Sequence, residues 1–110
     1  MGTYRFYAQL QEGKKNLATS DKQFSKPPTY REAVAVVEGL KSKGKSELPS
    51  KLHKDFESAV DQVITWLGKN KGTSYGGNGD IAREEFRYSG KEYRVDIGIG
   101  GETKDSKWFV

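Results

Sequence analysis

Residues 84–99 read EEFRYSGKEYRVDIGI, and the fold class turns on this stretch. Ser89-Gly90 is a hairpin signal, because small residues that tolerate positive φ fit the tight turns that match strand twist. After it, Tyr93, Val95, Ile97 and Ile99 alternate with Arg94, Asp96 and Gly98. A period of two with one apolar side marks a strand with one buried face. Glu84–Tyr88 is then its antiparallel partner. Gly100-Gly101 breaks the run and Lys107–Val110 resumes it, so the C-terminal part reads as a three-stranded meander.

Thr3–Leu10 shows the same alternation, with Tyr4, Phe6, Ala8 and Leu10 on one side and Arg5, Tyr7 and Gln9 on the other. Glu12-Gly13-Lys14 reads as a turn, Asn16–Thr19 as a short returning strand, and the polar stretch up to Pro28 as loop. Two helices lie between the strands. Thr29 followed by Glu32 is a capping box, and Tyr30, Ala33, Val34, Val37 and Leu40 follow at helical spacing. Gly39 and Gly44, with lysines between them, are expected to end that helix in an interhelix turn. The second helix runs from Ser50 to Leu67, with Leu52, Phe56, Ala59, Val60, Val63 and Leu67 in one stripe. Residues 72–80 hold four glycines and are expected to form a mobile loop. The reading is one α+β domain over residues 1–110, in the order β-(β)-α-α-β-β-β. Both helices lie on one face of a four- to five-stranded, mostly antiparallel sheet.

Composition bounds the function. The chain has 110 residues, 19 Lys+Arg against 15 Asp+Glu, a net charge of +4 and no cysteine. A disulfide-stapled scaffold and a thiolate metal site are thereby excluded. No apolar run is long enough to span a bilayer, and the N-terminal MGTYRFYAQL does not pattern as a secretion signal. A cytoplasmic address and no membrane partner are expected. Residues 13–54 carry ten basic and four acidic side chains, a net +6, while residues 55–110 carry eight basic and ten acidic, a net −2. Such a field favours an anionic partner, RNA or an acidic protein surface, although +4 is also ordinary for a small soluble domain.

Three motifs carry chemistry on paper. Residues 39–46, GLKSKGKS, satisfy the G-x-x-x-x-G-K-[ST] phosphate-loop pattern, in which Lys45 would reach phosphates and Ser46 a magnesium ion. That loop needs a strand before it, whereas the capping box predicts helix there, so no cofactor is expected. Gly77–Ala82 matches a relaxed dinucleotide pattern but follows a helix and opens a strand, the reverse of the required context. His53 is the single histidine, which leaves no pair of imidazoles for acid–base work, and its place in the helix reads as plain surface.

The sheet face turned from the helices is the best candidate surface. Alternation places Arg5, Tyr7, Gln9, Glu85, Arg87, Arg94 and Asp96 there, with Phe109 joining if the last strand pairs in that phase. Arginines beside an aromatic ring suit phosphate pairing and base stacking, and equally cross-strand ion pairs such as Arg87 with Asp96. The candidate nucleic-acid contacts are Arg5, Tyr7, Arg87 and Arg94 on the sheet, with Lys41, Lys43, Lys45, Lys51 and Lys54 in the basic segment.

Leu48-Pro49-Ser50-Lys51-Leu52, opening a helix, and Ser89–Val95, opening a strand, resemble the RelE/ParE-like toxins, which are small ribonucleases and gyrase poisons. The resemblance implies RNA contacts at Arg94 and Arg87 and supplies no catalytic base. The chain departs from that pattern in the long stretch between its first strand and first helix. The leading expectation is a small module that binds RNA, extending to ribonuclease activity. The rival is an inhibitor, immunity or counter-defence protein that blocks a partner protein, with Trp108-Phe109-Val110 either core or interface.

Overall fold

The computed structural model of the chain describes residues 3–102 and 106–110. Strands β1 (Tyr4–Glu12) and β2 (Lys15–Phe24) form a hairpin, followed by helices α1 (Tyr30–Lys45) and α2 (His53–Lys69), with a 3₁₀ turn at Ser50–Leu52 between them. Then come β3 (Thr73–Tyr75), β4 (Gly79–Tyr88), β5 (Lys91–Gly101) and β6 (Ser106–Trp108). The main sheet is fully antiparallel in the order β2-β1-β5-β4, and β3 pairs with β6 in a separate two-stranded sheet. The α+β class and the helices on one sheet face stand as expected.

The hydrophobic alternation of β1 and β5 explains the layering. Phe6, Ala8 and Leu10 of β1 and Val95, Ile97 and Ile99 of β5 are buried against Val37, Leu40, Phe56, Val60, Val63 and Leu67 of the helices. α1 lies over β1 and β2, α2 over β4 and β5. The Ser89-Gly90 turn has positive φ at both residues, 51° and 78°, the type I′ conformation that suits strand twist.

Several boundaries differ from the sequence reading, each for a physical reason. β2 runs ten residues, to Phe24, through the stretch read as loop. Its inner positions Ala18, Ser20, Lys22 and Phe24 pair with Leu10, Ala8, Phe6 and Tyr4, and a strand at a sheet edge needs little apolar surface of its own. α1 continues through Gly39 and Gly44 to Lys45. A Cβ on Gly44 would sit 2.6 Å from Phe56 Cε2 and 3.1 Å from Leu10 Cδ2, so this glycine lets α1 approach α2 closely. The expected interhelix turn, and with it the phosphate loop, is helix instead. β3 forms inside the glycine-rich stretch by pairing with β6, and β5 continues through Gly100 to Gly101.

Phe109 is fully buried, not on the outer sheet face. Its ring meets Phe6 edge-on at 5.4 Å, Trp108 meets Tyr4 at 5.8 Å, and both indole and phenyl are sealed in the core. The backbone completes the seam: Phe109 N donates to Pro28 O at 2.9 Å and Tyr30 N to Val110 O at 3.2 Å, so this segment anchors the start of α1. The expected capping box is present there, with Glu32 N donating to Thr29 Oγ1 at 3.2 Å and Thr29 N to Glu32 Oε1 at 2.9 Å. Among the described residues no helix is long and apolar enough to cross a membrane.

Candidate functional site: the outer face of the sheet

Residues directly opposite one another in an antiparallel ladder share a face. The registers therefore assemble the outer face from Thr19, Asp21 and Gln23 of β2, Arg5, Tyr7, Gln9 and Gln11 of β1, and Arg94, Asp96, Gly98 and Gly100 of β5. Asp80, Arg83, Glu85 and Arg87 complete it from β4, with Glu92 opposite Arg87. The residues that alternation assigned to this face, Phe109 apart, are all on it.

The centre of the face is a hydrogen-bonded cluster. Tyr7 lies across Gly98, where a Cβ would collide with its ring, and donates its hydroxyl proton to Asp80 Oδ1 at 2.7 Å. Burial, then this donated bond, push the Tyr7 phenol up to about 12. Asp96 is fully buried although no second layer covers the face, because neighbouring side chains close over it. Its Oδ2 accepts from Arg94 Nε at 2.9 Å, and its Oδ1 faces Arg83 Nε at 3.2 Å as an ion pair without the alignment of a hydrogen bond. Arg94 also donates to Gln11 Oε1 at 2.7 Å, and the bond to Asp96 holds its guanidinium above the usual range. Arg5 stacks over the Tyr7 ring at 4.8 Å and donates from Nε to Asp21 Oδ2 at 2.8 Å, a bond that likewise raises its pKa.

Arg83 and Asp80 are members of the cluster that the sequence reading did not name. Arg83 continues the alternation of Glu85 and Arg87, and starting the strand at Glu84 hid it. Asp80 is turned outward by an irregularity of register between Asp80 and Ala82, which leaves Ile81 without a partner on β5. A bulge of that kind leaves no periodic trace. The expected pairing of Arg87 with Asp96 is replaced by Arg87 with Glu92 at 3.0 Å. The face thus sets four arginines (Arg5, Arg83, Arg87, Arg94) against five carboxylates (Asp21, Asp80, Glu85, Glu92, Asp96), and each arginine has an ion-pair partner.

The lysines named from the basic segment lie elsewhere. Lys41 pairs with Asp61 at 3.3 Å and Lys45 with Glu57 at 2.6 Å, two rungs across the α1–α2 seam. The Lys45 bond lowers the Glu57 pKa. Lys43 Nζ donates to Thr19 O at 3.2 Å, Lys51 sits 4.8 Å from the Tyr88 ring centre, and Lys54 is exposed. The sheet separates the α1–α2 seam from the outer face, so the named residues do not form one continuous surface. His53 is half-buried rather than plain surface: its Nε2 lies 2.8 Å from Lys45 O and 3.0 Å from Leu48 O, a donor shared between the last carbonyl of α1 and one in the turn that follows. Among the described residues, no three His, Cys, Asp or Glu side chains gather as they would around a metal. No protein-family model, no curated protein and no solved structure matches the chain.

Proposed function

We propose that this chain is a protein-interaction module that masks a surface of another protein, with the outer sheet face as its contact plate. The observation that carries the reading is the charge balance of that face, four arginines against five carboxylates, with every arginine already paired. A polyanion would have to compete with those carboxylates, whereas a protein partner of mixed charge meets a pre-ordered plate of arginines, a residue type enriched at interface hot spots. Pre-organisation of this kind reduces the entropy lost on binding. Tagged protein should capture one stoichiometric protein from a lysate of its source cells, with or without nuclease. The variant Arg87→Glu, at the exposed end of the face away from Asp96, should release it without lowering Tm. Capture that disappears with nuclease refutes the reading.

A second reading is RNA binding, extending to the toxin-like ribonuclease activity, through the basic side chains of residues 13–54. Their net +6 favours it. On that reading log affinity for a uridine oligonucleotide falls linearly with log salt, and Lys51→Glu with Lys54→Glu reduces the slope. Binding insensitive to salt sinks it.

A further inference from the structure

β2 is the outermost strand of the main sheet, and its ladder phase is fixed by two bonds at some distance from each other. Thr3 O accepts from Glu102 N at 2.9 Å on the β5 side, so the odd-numbered residues of β1 turn their backbone polar groups toward β5. The even-numbered residues therefore bond to Ser20, Lys22 and Phe24, leaving Thr19, Asp21 and Gln23 with N–H and C=O directed away from the sheet. Lys43 Nζ at Thr19 O agrees with that phase and occupies one outward carbonyl. The outward backbone groups of Asp21 and Gln23 have no partner among the described residues.

Beside this open edge lies a groove of about 290 Å³, formed by Ser20, Asp21 and Lys22 of β2 and Glu32, Ala35 and Val36 of α1. Ser20 and Val36 form its buried floor. A strand laid along the edge would complete its hydrogen bonds on Asp21 and Gln23 and turn alternate side chains into the groove, the arrangement by which sheets accept extended peptides. The charge along this edge is positive on balance: Lys22 lines the groove, Lys43 reaches the edge at Thr19 O, and Lys26 and Arg31 follow β2 and open α1, against Asp21, Glu32 and Glu38, of which Asp21 is paired with Arg5. Lysines on an edge repel another copy of the same edge, and they attract an acidic strand.

We propose that the β2 edge and its groove bind an extended acidic segment of a partner protein as a fifth strand of the sheet. This rests on the reading of the chain as a protein-binding module but uses a different surface. The test is fluorescence anisotropy with a labelled decapeptide alternating valine and glutamate. Saturable binding is expected, with the valine–lysine counterpart inactive. Gln23→Pro removes an outward N–H while leaving the bonds to β1, and should weaken binding about tenfold at unchanged Tm. Ala35→Glu, which fills the groove and adds a third carboxylate to its lining, gives the same loss without touching the backbone and serves if the proline variant does not fold. Arg87→Glu on the outer face should leave peptide binding intact, so the two surfaces stand or fall separately. Equal binding of the lysine peptide, wild-type affinity in Ala35→Glu, or displacement of the peptide by a uridine oligonucleotide overturns the proposal. A dimer in sedimentation that Gln23→Pro dissolves also overturns it, in favour of a second copy.

Discussion

Gly44→Ala puts two effects in direct opposition. In a helix interior alanine is better than glycine by about 1 kcal/mol, so propensity alone predicts stabilisation. Packing predicts the reverse. The added methyl would stand 2.6 Å from Phe56 Cε2 and 3.1 Å from Leu10 Cδ2, both fully buried side chains with no route to solvent. Overpacking of a tight core costs about 1–3 kcal/mol, and contacts this short belong near the upper end. The net loss is about 1–2 kcal/mol, a fall in Tm of roughly 4–10 °C for a domain of this size. Gly39→Ala is the internal control: its methyl would meet Ser20 Oγ at 3.0 Å, a hydroxyl that can rotate away, so propensity and contact nearly cancel. Urea denaturation of both variants reads the difference directly. Adding Phe56→Leu to Gly44→Ala makes room for the methyl, and the double variant should be more stable than the summed single effects by about 1 kcal/mol. A Gly44→Ala protein as stable as wild type or more so, or strict additivity with Phe56→Leu, refutes close helix packing as the reason for this glycine.

Four further outcomes are expected. Millimolar Mg-nucleotide leaves Tm unchanged, because Lys45 and Ser46 end a helix and do not flank a phosphate loop; a rise in Tm would show binding to the folded state. In an ultraviolet pH titration Tyr7 ionises near pH 12 rather than 10, and Tyr7→Phe removes that contribution while the ionisation of Tyr75, also raised by burial, remains. Because folding raises the Tyr7 pKa, the associated stability is complete below pH 10 and is lost as pH climbs toward 12. Asp96→Asn costs about 2 kcal/mol by urea denaturation, below the usual 3–5 for breaking a buried pair because both arginines reach water. Deleting Trp108-Phe109-Val110 abolishes cooperative unfolding, since two fully buried rings leave the core.

The elements legible in the sequence were those whose burial shows as periodicity. β1 and β5 are central strands with one face against helices, so Phe6, Ala8, Leu10 and Val95, Ile97, Ile99 print a clear alternation. β2 prints almost none, because Ser20 and Lys22 occupy its inner positions and its pairing is carried by backbone bonds that side chains do not advertise. Gly39 and Gly44 read as breakers because the residues they closely approach, Ser20 on β2 and Phe56 on α2, lie on other elements. β3 exists through its pairing with β6, a non-local fact. The outer face followed from alternation, whereas its bulge at Ile81, and hence Asp80, did not.

Charge shows the sharper limit. Summed along the chain, residues 13–54 form a basic block and residues 55–110 an acidic one. In space the blocks meet at the α1–α2 seam, where Asp61 and Glu57 from the acidic block bind Lys41 and Lys45 from the basic one. Those two lysines are the ones a phosphate-loop or helix-surface reading would make most important, and their field is the part most thoroughly neutralised. Among the described residues, the basic side chains of the basic block without a carboxylate partner are Lys14, Lys15, Lys22, Lys26, Arg31 and Lys43, on β2, the turn before it, the segment after it and the adjoining helix, and Lys51 and Lys54 where α2 begins. Arg5 reinforces the charge on β2 from the neighbouring strand by neutralising Asp21, the acidic residue of β2. Folding thus leaves much of the basic surface at the β2 edge, one of the two outer edges of the main sheet, beside the open backbone donors and acceptors of Asp21 and Gln23. An anionic partner of extended backbone fits that combination, and a polyanion lacking peptide groups would use only half of it.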